Sequence, residues 1–95
     1  MDLKKILAQD SVTIVDVREP FEYAMGHVDG AINIPLSTIF QHVDEFRRMS
    51  KPIVVYCRSG NRSAQAEAFL RAQGIEEVYN GGSLEEMEYL KAQVA

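Results

Sequence analysis

Residues 52–74 read PIVVYCRSGNRSAQAEAFLRAQG, and they predict a strand, a short polar loop and a helix in that order. The strand is indicated by the apolar, β-branched run Ile53–Tyr56, which a proline precedes. Helix-forming residues begin at Ser63, and Gly74 is placed to end the helix. Three apolar residues share one face of this helix: Ala66, Phe69 and Leu70. Cys57, the single cysteine, stands where the strand ends, so we expect any chemistry to be located there.

The residues that follow Cys57 are small, polar or basic: Arg58, Ser59, Gly60, Asn61 and Arg62. Backbone N–H groups of such a loop can converge as an anion-binding nest, and the first turn of a helix adds further N–H groups. Two guanidinium groups add positive charge, and we expect at least one of them to face a bound anion. Such settings lower the pKa of a cysteine from about 8.5 to roughly 3.5–7.5. We therefore predict a reactive, partly exposed thiolate rather than the small buried hydrophobe that a free cysteine more often is.

Neither histidine forms a recognisable pair with Cys57 along the sequence. His27 precedes a predicted turn at Asp29-Gly30, and we expect it to fix that turn through a buried hydrogen bond. His42 belongs to a predicted helix and needs no special role. The thiolate predicted at Cys57 requires no general base.

The segment Cys57–Ser63, CRSGNRS, resembles the active-site loop of the rhodanese, or sulfurtransferase, family. Further segments agree with the family in the same order: Asp16-Val17-Arg18, Gly26-His27-Val28, Gly30-Ala31, Asn33-Ile34-Pro35 and Gly81-Gly82. These matches run from Thr13 to Gly82, most of the chain. The resemblance implies one rhodanese-like domain over residues 1–95, an α/β three-layer sandwich in which helices flank both faces of a small parallel sheet. Alternating strands and helices favour the same class of fold.

The resemblance also implies a double displacement through a persulfide on Cys57. The sulfur donor is expected to be thiosulfate or another persulfide donor, and the acceptor a small thiol, a protein thiol or cyanide. The donor is expected to be bound by the side chains and amides of the loop: Arg58, Ser59, Gly60, Asn61, Arg62 and Ser63. Supporting roles are expected for Asp16, Arg18, Gly81 and Gly82, and the glycine pair is expected beside the loop. No cofactor or metal is expected. For Asp16 and Arg18, an ion pair or loop-fixing hydrogen bonds, with Glu19 or Glu22 as candidate partners, are favoured over contact with substrate.

Two other functions remain open. Cysteine phosphatases and arsenate reductases also hold Cys and Arg in a loop before a helix, but five residues separate the two, whereas four separate Cys57 from Arg62. The shorter loop favours a ring suited to one extra sulfur atom. The second alternative is a regulatory, protein-binding module on the same fold, since a fold does not establish activity.

The composition is that of one ordinary globular domain: 95 residues, 46% apolar and 25% charged. A net charge of −4 argues against nucleic-acid binding, which depends on clustered Lys and Arg. One cysteine excludes an internal disulfide, a Cys-x-x-Cys pair and a cysteine-rich zinc site. The first ten residues contain no run fit for a signal peptide or membrane span, so we expect a cytoplasmic protein with no membrane partner.

The remaining pattern predicts helices over Asp2–Gln9 and Pro20–Met25, and strands over Val12–Val17, Ala31–Ile34 and Glu77–Asn80. Ser37 is predicted to cap a further helix, whose core face is expected to be Ile39, Phe40, Val43 and Phe46. A sharp turn is expected at Gly81-Gly82. Ser83 and Glu86 then form a predicted capping box that opens the last helix, with Leu84, Met87 and Leu90 as its apolar face. Many rhodaneses carry a tryptophan where this chain has Glu86.

Overall fold

The computed structural model describes residues 2–94, in which four parallel strands form one sheet between helices. The strands are β1 (Thr13–Asp16), β2 (Ile32–Asn33), β3 (Ile53–Cys57) and β4 (Val78–Ser83). The α-helices are α1 (Leu3–Leu7), α2 (Pro20–Ala24), α3 (Val43–Arg48), α4 (Asn61–Ala72) and α5 (Leu84–Val94). A 3₁₀ helix, Leu36–His42, leads directly into α3. The predicted α/β class is confirmed.

The strand order is β2-β1-β3-β4, so β3 lies between two parallel neighbours. All five residues of β3 are buried, as expected for a strand that is covered on both faces. Because the strands are parallel, their carboxyl ends meet at one edge of the sheet, where open α/β folds bind ligands. Cys57 is the last residue of β3 and therefore lies at that edge.

Alternation along β3 divides the core into two layers. Ile53, Val55 and Cys57 point to one side, where they pack with residues of α3 and α4. Val54 and Tyr56 point to the other side, where they pack with residues of α1 and α5. The large apolar side chains at the centres of these layers are fully buried: Phe46, Leu70 and Met87. The predicted three-layer arrangement, with helices on both faces, is confirmed.

The 3₁₀ helix corrects two predictions about residues 36–48. Phe40 is 62% exposed rather than part of the core, whereas Ile39 and Phe46 are buried as expected. A 3₁₀ helix has three residues per turn, so spacing predicted for an α-helix places Phe40 on the wrong side. Ser37 makes no helix cap, because the cap position is Pro35; its hydroxyl donates instead to Glu19 Oε2 at 2.9 Å.

Two boundaries beside the loop also differ from the sequence prediction. The helix after the loop begins at Asn61, two residues before Ser63, because Gly60 turns the chain at a φ of +95°. The last strand does not end in a turn at the glycine pair but continues to Ser83. Its pairing with β3 passes from Asn80 directly to Gly82, so Gly81 is the extra residue of a bulge. The capping box between Ser83 and Glu86 is confirmed, with hydrogen bonds of 3.0 and 3.1 Å.

Candidate active site

The side chain of Cys57 is fully buried, with 0% exposure. The prediction of a partly exposed thiol is therefore wrong. Its cause is the alternation along β3, which turns Cys57 toward the same layer as Ile53 and Val55, beneath the N-terminus of α4. The loop that follows closes over the sulfur from the outside.

The amides of Ser59, Gly60 and Ser63 nevertheless point at the sulfur. The Gly60 N–H donates to Cys57 Sγ at 3.0 Å. Burial is the largest influence on the Cys57 thiol and raises its pKa, but hydrogen bonds from the Ser63 hydroxyl and the amides of Ser63, Ser59 and Gly60 outweigh it. The pKa of Cys57 is consequently lowered, in the direction predicted from the sequence. A buried thiol surrounded by converging donors is suited to hold negative charge on sulfur.

A hydrogen-bonded group joins this loop to the neighbouring strand β4. The hydroxyl of Ser63, which is fully buried, lies 3.4 Å from Cys57 Sγ and 2.7 Å from Asn80 Oδ1. Asn80 also donates through Nδ2 to the carbonyl of Gly60 at 3.1 Å and accepts the Gly82 N–H at 2.9 Å. The sequence analysis placed Asn80 only at the end of a predicted strand, before the turn at the glycine pair. Its available signal was a polar amide at the carboxyl end of a strand, next to the glycine pair.

The two glycines of β4 meet different requirements. Gly82 has a φ of +87°, and a Cβ there would lie 2.7 Å from Glu86 Oε1. A Cβ on Gly81 would lie 2.5 Å from the sulfur of Met87 and 2.8 Å from Val54 Cγ1, so this position is fixed by core packing. Gly82 lies beside the loop, because a Cβ on Gly60 would be 3.4 Å from its Cα. Gly82 is thus the member of the glycine pair that lies beside the loop.

The two arginines of the loop have different surroundings. Arg62 binds both carboxylate oxygens of Glu22 on α2, at 2.7 and 3.0 Å. These hydrogen bonds are the main cause that lowers the pKa of Glu22 to about 2. Arg58 is exposed, and no residue from 2 to 94 forms an ion pair with it. Arg62 therefore ties the loop to α2, whereas Arg58 is available to an incoming anion.

A cavity of about 470 Å³ lies next to Arg58. It is lined by Arg18, Phe21, Glu22, Met25, Arg58, Leu84 and Glu85. Phe21 and Met25, both on or next to α2, are 67% and 85% exposed. The cavity thus combines exposed apolar side chains with a cation adjacent to Cys57 along the chain.

Asp16 and Arg18 form a buried ion pair at the end of β1. Arg18 Nη2 lies 2.7 Å from Asp16 Oδ2 and donates to the carbonyl of Gly26 at 2.6 Å. The Arg18 backbone N–H also donates to Asp16 Oδ1, at 2.9 Å. Asn33 Nδ2 donates to the carbonyls of both residues at 2.9 Å. The favoured prediction of an ion pair is confirmed, although the two residues pair with each other rather than with Glu19 or Glu22.

His27 is exposed, so the prediction of a buried hydrogen bond is wrong. Its ring stacks on that of Tyr23 with centroids 3.7 Å apart, and its Nδ1 lies 2.9 Å from the Tyr23 carbonyl oxygen. The turn is fixed instead by the Ala31 N–H, which donates to the Val28 carbonyl at 2.9 Å, and by the hydroxyl of Tyr56, which accepts from the Val28 N–H at 3.0 Å. A buried tyrosine on a distant strand has thus taken the role predicted for histidine.

Among residues 2–94, no three His, Cys, Asp or Glu side chains come together as a possible metal site. In the same range, no helix has the length and apolar character needed to cross a membrane.

The chain belongs to the rhodanese-like family, since the family model of the Rhodanese-like domain matches residues 1–86. It is 36% identical over 77 residues to a sulfurtransferase of Allochromatium vinosum, covering 81% of this chain and 71% of that protein. The structure is similar to the human single-domain sulfurtransferase TSTD1, with a TM-score of 0.68, 27% identity, and coverage of 90% of this chain and 88% of that one. It is also similar to a rhodanese from E. coli solved with anions, with a TM-score of 0.66, 37% identity, and coverage of 79% and 89%.

Several curated relatives are longer than this chain, which spans 52%, 27% and 46% of the length of three of them. The match to the family and the likeness to sulfurtransferases nevertheless extend over most of this chain.

Proposed function

We propose that this protein is a sulfurtransferase that carries a sulfane sulfur on Cys57 from thiosulfate or another persulfide to a thiol. The observation that carries the proposal is the buried sulfur of Cys57 with the Gly60 amide 3.0 Å away and a lowered pKa. A thiolate rather than a thiol is the attacking species in such chemistry, so a lowered pKa raises the reactive fraction at neutral pH. The similarity to known sulfurtransferases supports the same reaction.

The first displacement uses thiosulfate as the example of a donor. The Cys57 thiolate attacks the outer sulfur, a bond forms between the two sulfur atoms, and the S–S bond of thiosulfate breaks. Sulfite leaves with the electron pair of that bond, so Cys57 remains as an anionic persulfide. The amides of Ser59, Gly60 and Ser63 are placed to stabilise this negative charge, and no external oxidant or reductant is needed.

The second displacement regenerates the enzyme. The thiolate of an acceptor attacks the terminal sulfur of the persulfide, the S–S bond to Cys57 breaks, and Cys57 returns to the thiolate. The acceptor leaves as a persulfide, or as thiocyanate when cyanide is used. Because Cys57 is the single cysteine in these 95 residues, the acceptor thiol that resolves the persulfide lies outside them.

Other residues are assigned to binding and support. We assign Arg58 to the oxyanion of the donor, because its guanidinium is exposed beside the cavity. Arg62 holds the loop to Glu22, and the Asp16–Arg18 pair fixes the chain after β1. Gly81 and Gly82 allow β4 to approach the loop. The exposed residues Ser59 and Asn61 belong to the ring over the sulfur, which must open for a donor to reach Sγ.

The test is turnover of thiosulfate with cyanide or a small thiol, measured as thiocyanate or sulfite. We expect catalysis by the native chain and a loss of at least about a thousandfold in Cys57→Ser, with an unchanged thermal melting curve. A low-molecular-weight persulfide should be tried as a second donor. Absence of transfer from both donors would contradict the proposal, and hydrolysis of an aryl phosphate dependent on Cys57 would favour the phosphatase instead.

A further inference from the structure

The hydroxyl of Ser63 lies between two acceptors but has a single proton to donate. Asn80 Oδ1 is 2.7 Å from Ser63 Oγ, a normal length for a strong O–H···O hydrogen bond. Cys57 Sγ is 3.4 Å from the same oxygen. The hydroxyl can therefore satisfy the amide or the sulfur at any one time, but not both.

The protonation state of Cys57 decides between these two arrangements. A neutral thiol has its own S–H, which can donate to Ser63 Oγ while the hydroxyl donates to Asn80 Oδ1. An anionic sulfur has no proton to offer and is a charged acceptor, so a hydrogen bond from the hydroxyl to it gains strength. Rotation about the C–O bond of Ser63 is sufficient to exchange one arrangement for the other.

Asn80 can release the hydroxyl without losing its own position. Its Oδ1 keeps the Gly82 N–H at 2.9 Å, and its Nδ2 keeps the Gly60 carbonyl at 3.1 Å. No buried polar atom of Asn80 is left without a partner, and an unsatisfied buried group is what makes such exchanges costly. The loop therefore stays attached to β4 in both arrangements.

We propose that Asn80 is a positioning residue that holds the Ser63 hydroxyl while Cys57 is a thiol and releases it to the sulfur when Cys57 becomes an anion. The exchange moves no proton between Ser63 and its neighbours; the thiol proton passes to solvent, and the hydroxyl turns. The inference rests on the proposed function only in that the anionic sulfur is the working form of the site.

The charged groups around Cys57 are left unchanged by Ser63→Ala and Asn80→Ala. Arg62 on α4 is close enough for the charge of Cys57 to contribute to its raised pKa, and its partner is Glu22 on α2. Arg58 adjoins Cys57 along the chain, and Asp16 and Arg18 pair with each other at the end of β1. Shifts in the titration of Cys57 can therefore be compared directly between variants.

The experiment is a double-mutant cycle on the thiol ionisation, followed by ultraviolet absorbance of the thiolate as the pH is raised. The proteins are the native chain, Ser63→Ala, Asn80→Ala and the double variant. Each is measured against the same protein carrying Cys57→Ser, which removes the contribution of the four tyrosines. No sulfur donor or acceptor is present, so the result is independent of whether the chain transfers sulfur.

We expect Ser63→Ala to decrease the ionisation constant of the thiol about tenfold, the loss of one hydrogen bond to a charged group. In the Asn80→Ala background the same substitution should have a larger effect, because the hydroxyl there has no competing acceptor. Ser63→Thr, which keeps the hydroxyl, should restore most of the ionisation constant. Equal effects of Ser63→Ala in both backgrounds would overturn the proposal and leave Asn80 as a purely structural link.

If Asn80→Ala fails to fold, a second variant at position 80 still tests the proposal. Asn80→Asp retains the side-chain size and offers the hydroxyl a charged, stronger acceptor. Its charge and the loss of the Nδ2 donor to the Gly60 carbonyl are the same with Ser and with Ala at position 63, so they cancel when the two are compared within this background. Ser63→Ala should then have a smaller effect than in the native chain, because the hydroxyl stays with Asp at position 80. The coupling between the two positions is therefore expected to have opposite signs in the two backgrounds, and the same sign in both would contradict the proposal.

Discussion

The floor and the rim of the site differ in how firmly they are held. The floor consists of Cys57, Gly60, Ser63 and Asn80, whose polar atoms bond to one another and whose reactive sulfur is fully buried. The rim consists of Phe21, Met25 and Arg58, which are exposed around the cavity. We expect the floor to determine the reactivity of the Cys57 sulfur, and the rim to contact the sulfur donor and the acceptor.

This division has a cause in the sequence. The floor is built mostly from backbone amides and from short side chains that lose little conformational entropy when ordered. In the rim, Phe21 and Met25 lie on or next to α2, a five-residue helix with no buried residue, and Arg58 lies on the loop after β3. We therefore expect substitutions in the floor to change the chemical step and substitutions in the rim to change binding.

After the loss of Cys57 itself, the largest effect is expected for Gly60→Ala in the floor. Alanine at a φ of +95° is strained, and we expect the loop to shift to relieve that strain, since an added Cβ would make only a van der Waals contact, 3.4 Å from the Cα of Gly82. A misplacement of about 1 Å in a catalytic group can cost about a hundredfold in rate, and we expect a loss of that order in kcat. Steady-state kinetics of sulfur transfer measures it.

The control for Gly60→Ala is Gly30→Ala, since Gly30 also has a positive φ of +85° but no atom within 4 Å of an added Cβ. Both variants should lose stability, but we expect Gly30→Ala to retain kcat. Equal losses of kcat in both would show that backbone strain alone, rather than the position of the loop, explains the effect.

A smaller effect is expected for Arg58→Ala in the rim. The exposed guanidinium should help bind the anionic donor without touching the reacting sulfur, and an exposed charge pair contributes up to about 1 kcal/mol. We expect KM for thiosulfate to rise about fivefold while kcat is retained, and the effect to shrink as salt is added. Arg48→Ala, an exposed arginine on α3, is the matched control and should leave KM unchanged. A fall in kcat with unchanged KM would place Arg58 in the floor.

The smallest effect is expected for Glu22→Gln, which removes the negative charge from the contact between α2 and the loop. The pKa of Glu22 is about 2 in the folded chain and 4.5 in its ordinary state, so its stabilising contribution is complete above pH 4.5 and is lost as the pH falls toward 2. The pair is partly exposed, so we expect Glu22→Gln to lower the free energy of unfolding by up to about 1 kcal/mol at pH 7. Urea unfolding measures this difference.

The difference in the free energy of unfolding between the native chain and Glu22→Gln should vanish as the pH approaches 2. Glu88→Gln, at an exposed position of α5, should show no difference at either pH. If Glu22→Gln destabilised the chain equally at pH 7 and near pH 2, its effect would be one of packing rather than of charge.

The sheet and the helices that cover it could be predicted because the patterns that indicate them lie within short, continuous segments of the sequence. Runs such as Ile53–Tyr56 identify strands, and the spacing of Ala66 and Leu70 identifies the buried side of a helix. The 3₁₀ turn that exposes Phe40 could not be predicted, because its apolar pattern also fits an α-helix. The spacing of side chains alone does not distinguish the two kinds of helix in a segment of seven residues.

The residues of the candidate site were predicted from the sequence, but the burial of the Cys57 sulfur was not. Cys57 and the loop amides follow from one contiguous segment, whereas the burial of the sulfur depends on how α4 covers β3. Asn80 was missed because its partner Gly60 is 20 residues away and the contact exists only in the folded chain. The roles assigned to Arg58, Ser59 and Asn61 remain predictions.

The most direct test is the intact mass of the protein after exposure to a sulfane donor. We predict that the native chain gains one sulfur atom on Cys57, that cyanide or a thiol removes it, and that Cys57→Ser gains none. A native chain that folds, carries a titratable Cys57 and yet gains no sulfur from either thiosulfate or a small persulfide would contradict the account.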